Sequence, residues 1–355
     1  MRELRIGENE AGQRLDKLLR KYLRRAENGF LYKMLRKKNI TLNGRKASGK
    51  ELLKEGDLLK LFFSEESFQK LCAPLPLLSE TKEREEGRAQ AEWEGETFSS
   101  RIVYEDENLL LFNKPAGLLS QSDGSGLPSV NELCLSYLME KGELGREQLA
   151  SFRPGAANRL DRNTTGLLLF GKTLPALQEL SFCLKKRTIG KYYLAVVRGH
   201  TPERGRIEGF LRKDPDKNRV FLQEEASGGA KEVQSEYRRL FAGESGEQIS
   251  FSVLLVHLIS GKTHQIRAHL ASVSHPILGD PKYGDRDLNR LLQKRTGLRS
   301  QLLHACELHF PKLPEDSRLS YLSEKNFYAS PPRSFLPFLP KKYRLPEGSR
   351  LFQIK

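Results

Sequence analysis

An aspartate flanked by arginines is the part of this chain whose residue types could do chemistry. Asp161 lies between Arg159 and Arg162 in the segment NRLDRNTTGLLLFGK, residues 158–172. Four apolar residues, 167–170, follow a glycine, and a short apolar run bounded by turn formers is typical of a buried strand. A turn would then present the carboxylate and a rigid strand would hold it, a common arrangement for functional side chains. An ordinary surface ion pair has the same composition, so spacing alone leaves that alternative open.

Two glycine-containing segments resemble phosphate-binding loops but lack the required spacing. Residues 260–263 read Ser-Gly-Lys-Thr, as at the end of a P-loop, yet the position five residues before Gly261 is Val256. The segment DGSGLPS, residues 123–129, lacks a third glycine at the needed offset. We therefore expect no nucleotide-binding loop.

Histidines and cysteines also give no metal pattern. The four cysteines lie far apart and form no CxxC pair, so neither a disulfide framework nor a zinc site is expected. Four histidines follow no His-Glu-x-x-His or His-plus-carboxylate spacing, and structural or surface roles are favoured for them: His264, His269, His275 and His304.

Several expected elements surround the central motif. Residues 101–117 read as two strands, with Lys114 at the exit of the second. A lysine there can be catalytic, but a solvent-facing turn lysine is more frequent. Aromatic and β-branched residues predict a strand over 191–197. An alternating pattern predicts another strand over 249–257, and a helix is expected from about His264.

Positive charge is concentrated at the N-terminus. The chain has 355 residues and a net charge of +15, and residues 1–60 hold 17 basic and 8 acidic side chains, a balance of +9. An apolar stripe of leucines predicts a first helix at residues 15–22, a second is expected near 30–36, and Asn43-Gly44 predicts a hairpin. This pattern favours a nucleic-acid-binding module over a surface that is charged only for solubility.

Composition bounds the location and the domain organisation. No apolar run approaches the roughly 20 residues that span a bilayer. The N-terminus has no apolar stretch of the kind a signal peptide needs, so the cytoplasm is the expected location. We expect a basic, nucleic-acid-binding module at 1–63, a charged linker at 64–100, a main domain at 101–325 and a C-terminal tail at 326–355.

The N-terminal segment resembles an S4 domain, a small RNA-binding module. The residues that carry this likeness are RLDKLL, KNITLNG and EGDLLKL, within the first sixty or so positions. From about residue 101 to 311, the chain resembles the RluA family of pseudouridine synthases. The carriers are VYEDENLLLFNKPAG, the NRLD segment with TGLLL, GKYYLAVVRG, SGKTHQIRAHL with HPILGDPKYGD, and LLHACELHF.

The resemblance implies a reaction, a fold and a set of site residues. It implies isomerisation of uridine to pseudouridine in RNA, with large-subunit ribosomal RNA as the substrate and no metal, nucleotide or redox cofactor. It implies an α+β catalytic domain with a mixed, mainly antiparallel sheet and the active site in a cleft across it. The catalytic acid would be Asp161, Tyr193 would stack on the uracil, Arg267 would pair with Asp161, and Arg159 would fill the space of the flipped base.

Two departures from the family pattern are visible, and two other functions stay open. Asn158 stands where the family often has histidine, and Lys262 where arginine is also frequent. A monomer with RNA as its partner is expected. One alternative is an RNA-binding ribosome-assembly factor without catalysis on the same scaffold. The other is a hydrolase, which lacks a second carboxylate or histidine in a comparable motif.

Overall fold

Two β-sheets organise the chain in the computed structural model, which describes residues 1–72, 97–214, 219–226, 229–245 and 249–340. The strands of the smaller sheet are Arg2–Arg5 (β1), Ile40–Leu42 (β2), Arg45–Lys46 (β3) and Leu58–Leu61 (β4). They are antiparallel and lie in the order β1-β4-β2-β3. Two helices, Leu15–Tyr22 (α1) and Asn28–Arg36 (α2), share its hydrophobic core.

Local sequence signals account for this small α/β region. Leu15, Leu18 and Leu19 are completely buried, because their spacing places them on one face of α1. Asn43 and Gly44 both have positive φ, 52° and 72°, as a two-residue hairpin turn requires. The predicted first helix, the second helix and the hairpin are therefore present.

The predicted linker is shorter than residues 64–100. Glu65–Leu71 forms a helix (α3) whose first turn is capped by the Ser64 hydroxyl, and Phe68 is buried in the N-terminal core. At the other end, the ring of Phe98 stacks on Phe112 with centroids 4.7 Å apart. The linker prediction was wrong for these two ends, because two phenylalanines bury apolar surface there; residues 73–96 lie outside the described part.

The larger sheet has eleven strands. In chain order they are Ile102–Glu105 (β5), Leu109–Lys114 (β6), Gly155–Ala156 (β7), Thr165–Gly171 (β8), Gly190–Arg198 (β9), Arg204–Asp214 (β10), Arg219–Gln223 (β11), Lys231–Ser245 (β12), Ile249–Leu258 (β13), Leu303–His309 (β14) and Asn326–Tyr328 (β15). The main path runs β11-β10-β12-β13-β9-β14-β8-β6-β5, with β7 on β8 and β15 on β14. Pairing is antiparallel except between β14 and β8, so the predicted α+β class with a mixed, mainly antiparallel sheet is confirmed.

Helices cover both faces of β6 and β8. The helices that follow β6 in the chain are Val130–Glu140 (α4), Arg146–Ser151 (α5), Leu174–Lys186 (α6), Gln265–Ser272 (α7) and Arg286–Thr296 (α8). Leu167 and Leu169 pack with α6 residues, whereas Leu168 and Phe170 pack with α4 residues on the opposite face. Because both faces are covered, β8 needs a continuous apolar run rather than an alternating one.

A two-residue parallel pairing joins the halves of this sheet. His304 and Ala305 of β14 pair with Thr165 and Gly166 of β8. Gly166 has φ +106°, and a Cβ there would lie 2.2 Å from the carbonyl oxygen of Ala305. Only glycine fits at this point, because a side chain would both strain the backbone and collide with the neighbouring strand.

The C-terminal residues up to 340 pack on the larger sheet and do not form a separate tail. Asn326–Tyr328 adds a strand to β14, and Phe335 and Phe338 are each 1% exposed in the core around β9 and β13. The boundary predicted at residue 325 was wrong, because bulky aromatic residues beyond it fill that core. Residues 341–355 of the predicted tail lie outside the described part.

The N-terminal region contacts the region of the larger sheet through residues 8–10. Glu8 forms an ion pair with Arg318 at 2.7 Å, and the Asn9 side chain accepts a hydrogen bond from Leu174 N at 3.0 Å. The Ser151 hydroxyl donates a hydrogen bond to Glu10. Within the described ranges, none of the helices has the length and apolarity needed to cross a membrane.

Candidate active site

Asp161 lies on a turn that leads directly into β8. Thr164 N donates to Asp161 O at 3.0 Å, which closes the turn, and β8 begins at the next residue. The hydroxyl of Ser120 accepts from Leu160 N and donates to Leu160 O, both at 2.9 Å. The backbone N–H and C=O of Leu160, the residue before Asp161, are therefore both held by Ser120. The buried strand that the sequence predicts after Asp161 is present as β8.

Lys114 is the residue that sequence reasoning placed most wrongly. It is not a solvent-facing turn lysine but is completely buried, and its Nζ donates to the carbonyl oxygens of Pro115, Leu118 and Arg162 at 2.9, 2.8 and 2.7 Å. Burial lowers the pKa of Lys114 to about 7, although the nearby charge of Asp161 acts in the other direction. One ammonium group thereby ties the end of β6 to the peptide that follows Asp161.

Arg267 is the arginine that meets Asp161. Its Nη1 lies 2.8 Å from Asp161 Oδ2, so the pairing that the resemblance implied is present. Arg162, next to Asp161 in sequence, points elsewhere and donates through Nε to Gly117 O at 2.9 Å. The carboxylate is therefore held by a residue 106 positions away rather than by this neighbour.

Asp280 completes this ion-pair network and was not singled out from the sequence. It is completely buried and accepts from Arg267 Nε at 2.7 Å and from Nη2 at 2.8 Å. Burial alone would raise the pKa of Asp280, but the hydrogen bonds and charge of Arg267 lower it below its usual value. The turn-rich segment GDPKYGD was the only signal, and it indicated a turn rather than an ion pair.

Tyr193 and Arg159 line the same cleft as Asp161 and Arg267. The cleft has a volume of about 950 Å³. Tyr193 is 6% exposed on β9, and burial, together with the nearby charge of Asp161, raises its pKa well above the usual value, so the phenol is neutral at physiological pH. Arg159 is exposed at the rim. All four residues predicted from the resemblance are thus brought together in one place.

Other basic side chains line this cleft as well. They are Lys185, Arg187, Lys191 and Lys262, whereas the acidic residues that line it are Asp123 and Asp161. An excess of positive charge in a concave site attracts a polyanion such as a nucleic-acid backbone. Among the residues that the structure describes, no group of three or more His, Cys, Asp or Glu side chains could hold a metal ion.

Asn158, which stands where the family often has histidine, has a structural role in this fold. Its Oδ1 accepts a hydrogen bond from Leu169 N at 2.7 Å. The side chain therefore supports β8 rather than taking part in the pairing of Asp161. His264, for which the sequence favoured a structural or surface role, lines the cleft, with Nε2 3.9 Å from Asp161 Oδ2.

A mixed sheet with a basic cleft that holds a fixed aspartate and arginine pair fits an enzyme that acts on nucleic acid, and the comparison with known proteins identifies its class. Residues 108–272 match the model of the RNA pseudouridylate synthase family, a range that contains Lys114, Asp161, Tyr193 and Arg267. The chain belongs to this family, which isomerises uridine in RNA, and the RluA resemblance is confirmed.

Individual relatives agree with this assignment. The chain is 30% identical over 315 residues to the ribosomal large subunit pseudouridine synthase C of Escherichia coli (strain K12), covering 86% of this chain and 87% of that protein. It is 28% identical over 320 residues to the protein of that name from Vibrio cholerae serotype O1, covering 88% and 90%. The structure of human RNA pseudouridylate synthase domain containing 4 has the same fold, with a TM-score of 0.53, 22% identity, and coverage of 72% of this chain and 95% of that one.

Proposed function

We propose that this enzyme converts particular uridines of large-subunit ribosomal RNA to pseudouridine and that Asp161 acts on the ribose of the target nucleotide. The substrate class rests on the relatives, which are named as ribosomal large subunit pseudouridine synthases. The role of Asp161 rests on one observation: its carboxylate enters a basic cleft while Arg267, 2.8 Å away, holds it in place.

The reaction needs no net addition of atoms or electrons. The bond between uracil N1 and ribose C1′ breaks, the base turns, C5 bonds to C1′, and the proton on C5 is lost while N1 gains one. A carboxylate can support this by attacking C1′ covalently or by removing a proton from C2′ on the route through a glycal. In both routes a negative charge beside the sugar stabilises the positive charge that develops on the ring.

Tyr193 and Arg159 are proposed to handle the base. Tyr193 is buried in the cleft beside Asp161, where its ring can stack on the extruded uracil and its hydroxyl can assist loss of the C5 proton. Arg159 is exposed at the rim and is long enough to occupy the gap that the flipped nucleotide leaves in the RNA. Enzymes that act on a base must take it out of its stack, and an inserted side chain offsets part of that cost.

The N-terminal module is proposed to be an S4-like RNA-binding domain. Nine of its exposed basic side chains lie on or just after the two helices: Lys17, Arg20, Lys21, Arg24, Arg25, Lys33, Arg36, Lys37 and Lys38. We further propose that the enzyme acts as a monomer in the cytoplasm, because one chain supplies every residue of the candidate site and ribosomal RNA is the proposed substrate.

The test is pseudouridine mapping on total RNA from cells that express wild-type protein or Asp161→Asn. We expect specific large-subunit ribosomal uridines to lose their modification in the variant, because the amide can neither attack C1′ nor accept a proton. Asp123→Asn is the matched control, since Asp123 also lines the cleft but is exposed. Unchanged mapping in a stably expressed Asp161→Asn protein would contradict the role of Asp161 and favour the RNA-binding alternative.

A further inference from the structure

His264 occupies an unusual backbone position beside the candidate nucleophile. It is the residue before α7 and has φ +55°, a left-handed conformation that few non-glycine residues adopt. Its Nε2 lies 3.9 Å from Asp161 Oδ2, and its side chain is 10% exposed, toward the cleft that it lines. That separation is too long for a direct hydrogen bond, so the two groups face each other across a gap.

The hydrogen bonds of Tyr283 determine which nitrogen of His264 carries the proton. The Tyr283 hydroxyl accepts from Val220 N at 2.8 Å and lies 3.1 Å from His264 Nδ1. Since its oxygen already accepts the backbone proton, its own proton is free to be donated to Nδ1, and this arrangement uses every donor. Nδ1 is then the acceptor of a neutral imidazole, and Nε2 carries the proton that points toward Asp161.

Burial is the main reason why this imidazole stays neutral. Burial lowers the pKa of His264; the carboxylates of Asp161 and Asp280 oppose this effect, whereas the positive charges of Arg267 and Lys282 add to it. At neutral pH, Nε2–H is therefore a fixed neutral donor rather than a cation competing with Arg267 for Asp161.

A group that fits between an N–H donor and a carboxylate must accept one hydrogen bond and donate another. A hydroxyl about 2.8 Å from each atom does both, whereas a uracil carbonyl can only accept and would face the negative charge of Asp161. In a nucleotide whose C1′ lies at Asp161, the adjacent hydroxyl is the ribose 2′-OH. We propose that His264 binds the 2′-hydroxyl of the target nucleotide, with that hydroxyl donating in turn to Asp161.

This inference rests on the proposed function, and it makes His264 the residue by which the site distinguishes ribose from deoxyribose. The 2′-hydroxyl is the group that lets a protein tell RNA from DNA at one position. A hydrogen bond from Nε2–H should therefore raise the affinity for the RNA. This gain should be lost when the 2′-hydroxyl is removed from the target nucleotide alone.

The experiment compares two synthetic hairpins that carry the mapped uridine or 2′-deoxyuridine at the same position. Both are bound to protein carrying Asp161→Asn, which prevents turnover, with His264 intact or replaced by asparagine. Asparagine tolerates the left-handed conformation and is too short to reach across the gap. We expect the uridine hairpin to bind about three- to tenfold more tightly than the deoxyuridine hairpin when His264 is present. His264→Asn should lower this ratio clearly, because the contact from Nε2–H is lost while the hydroxyl can still donate to the side chain at position 161.

Two further variants keep the outcome interpretable. His264→Gln retains a side-chain N–H and should restore part of the ratio. His275→Asn, at a partly exposed histidine that contacts Arg198 O, should leave the ratio as it is. A ratio that is the same with and without His264 would overturn the proposal. Failure of the proposed function would show separately, as a wild-type protein that modifies neither cellular RNA nor the uridine hairpin.

Discussion

Asp280 binds Arg267 through both carboxylate oxygens, with Oδ2 2.7 Å from Nε and Oδ1 2.8 Å from Nη2. The carboxylate is in turn held by Lys282 N at 2.8 Å and Tyr283 N at 3.0 Å. This bidentate pairing fixes the plane of the guanidinium and leaves Nη1 for Asp161. The orientation of the proposed nucleophile therefore depends on a residue that lines no part of the cleft.

Replacing Asp280 tests this dependence. Asp280→Asn keeps the shape but leaves the 4% exposed Arg267 with one carboxylate instead of two. Breaking one partner of a buried ion pair costs about 3–5 kcal/mol, so we expect a loss of this order in the free energy of unfolding and a roughly 10- to 100-fold fall in kcat from a misplaced Asp161. Urea unfolding and single-turnover pseudouridine formation measure the two effects.

A matched carboxylate elsewhere provides the control. Asp287→Asn removes a charge that is 92% exposed and paired with Arg290 at 3.3 Å. Exposed pairs contribute little, so its unfolding free energy should stay within about 1 kcal/mol of wild type, with kcat unchanged. Equal effects of the two substitutions would show that Asp280 has no special part in the site.

Gly166 should be irreplaceable at the junction of β8 and β14. In Gly166→Ala the new Cβ would lie 2.2 Å from Ala305 O at φ +106°, so the two strands must separate. We expect a loss of about 4 kcal/mol or more in the free energy of unfolding, or no folded protein. Gly142→Ala is the control: it also has positive φ, 77°, but nothing within 4 Å, and should cost only about 1 kcal/mol. Thermal unfolding of the two variants tests this difference. Similar Tm values for Gly166→Ala and Gly142→Ala would contradict the prediction.

Two buried histidines should make the fold sensitive to acid. Burial lowers the pKa of both His304 and His269 to about 4, from about 6.5 in an unfolded chain. Between these values the unfolded chain binds protons that the folded chain does not, so stability is complete above pH 6.5 and falls as the pH drops toward 4. Each histidine adds up to about 1.4 kcal/mol per pH unit to this slope.

The slope can be assigned with single variants. His304 accepts from Thr165 through Nδ1 and donates to Ala329 O through Nε2, contacts that glutamine can replace in part. Urea unfolding at several pH values gives the slope of the unfolding free energy against pH. In His304→Gln this slope should be smaller by the share of one histidine, up to about 1.4 kcal/mol per pH unit. His275→Gln, at a partly exposed histidine, should keep the wild-type slope. A wild-type stability that does not change between pH 6.5 and 4.5 would refute the prediction.

The proposed RNA contact of the N-terminal module should appear in the salt dependence of binding. Lys33 and Arg36 are exposed on α2. Lys33→Gln/Arg36→Gln should weaken RNA binding and lower the slope of log Kd against log salt by roughly 0.7–0.9 for each lost phosphate contact. Lys312→Gln/Lys325→Gln removes the same charge from exposed positions outside the cleft and should leave the slope unchanged. Equal slopes for both double variants would show that RNA phosphates do not contact Lys33 and Arg36.

Local patterns in the sequence were enough to predict the elements that carry the site. The apolar run after Gly166 predicted a buried strand, and β8 is buried along its whole length. The leucine spacing predicted α1, and Asn43-Gly44 predicted the hairpin turn. Both signals are local, because helix periodicity and positive φ depend on a few adjacent residues.

Long-range partners could not be obtained in this way. Lys114 is buried only because carbonyl groups from three different residues, one of them 48 positions away, converge on its ammonium group. The pairing of Asp161 with Arg267 came from family resemblance, since no local spacing links residues 106 positions apart. The aromatic residues Phe335 and Phe338 likewise gave no periodic signal, although both belong to the core.

The short parallel pairing between β8 and β14 also constrains when the enzyme becomes active during folding. It joins Thr165 to His304 across a separation of 139 residues, and contacts this distant in sequence carry a high loop-closure entropy. Asp161 lies four residues before Thr165 on one side of the junction, whereas Arg267 and His264 come from chain synthesised long after it. A ribosome-bound or partly folded chain therefore carries the aspartate without its partners, and catalytic competence arises only once the two halves of the sheet have closed.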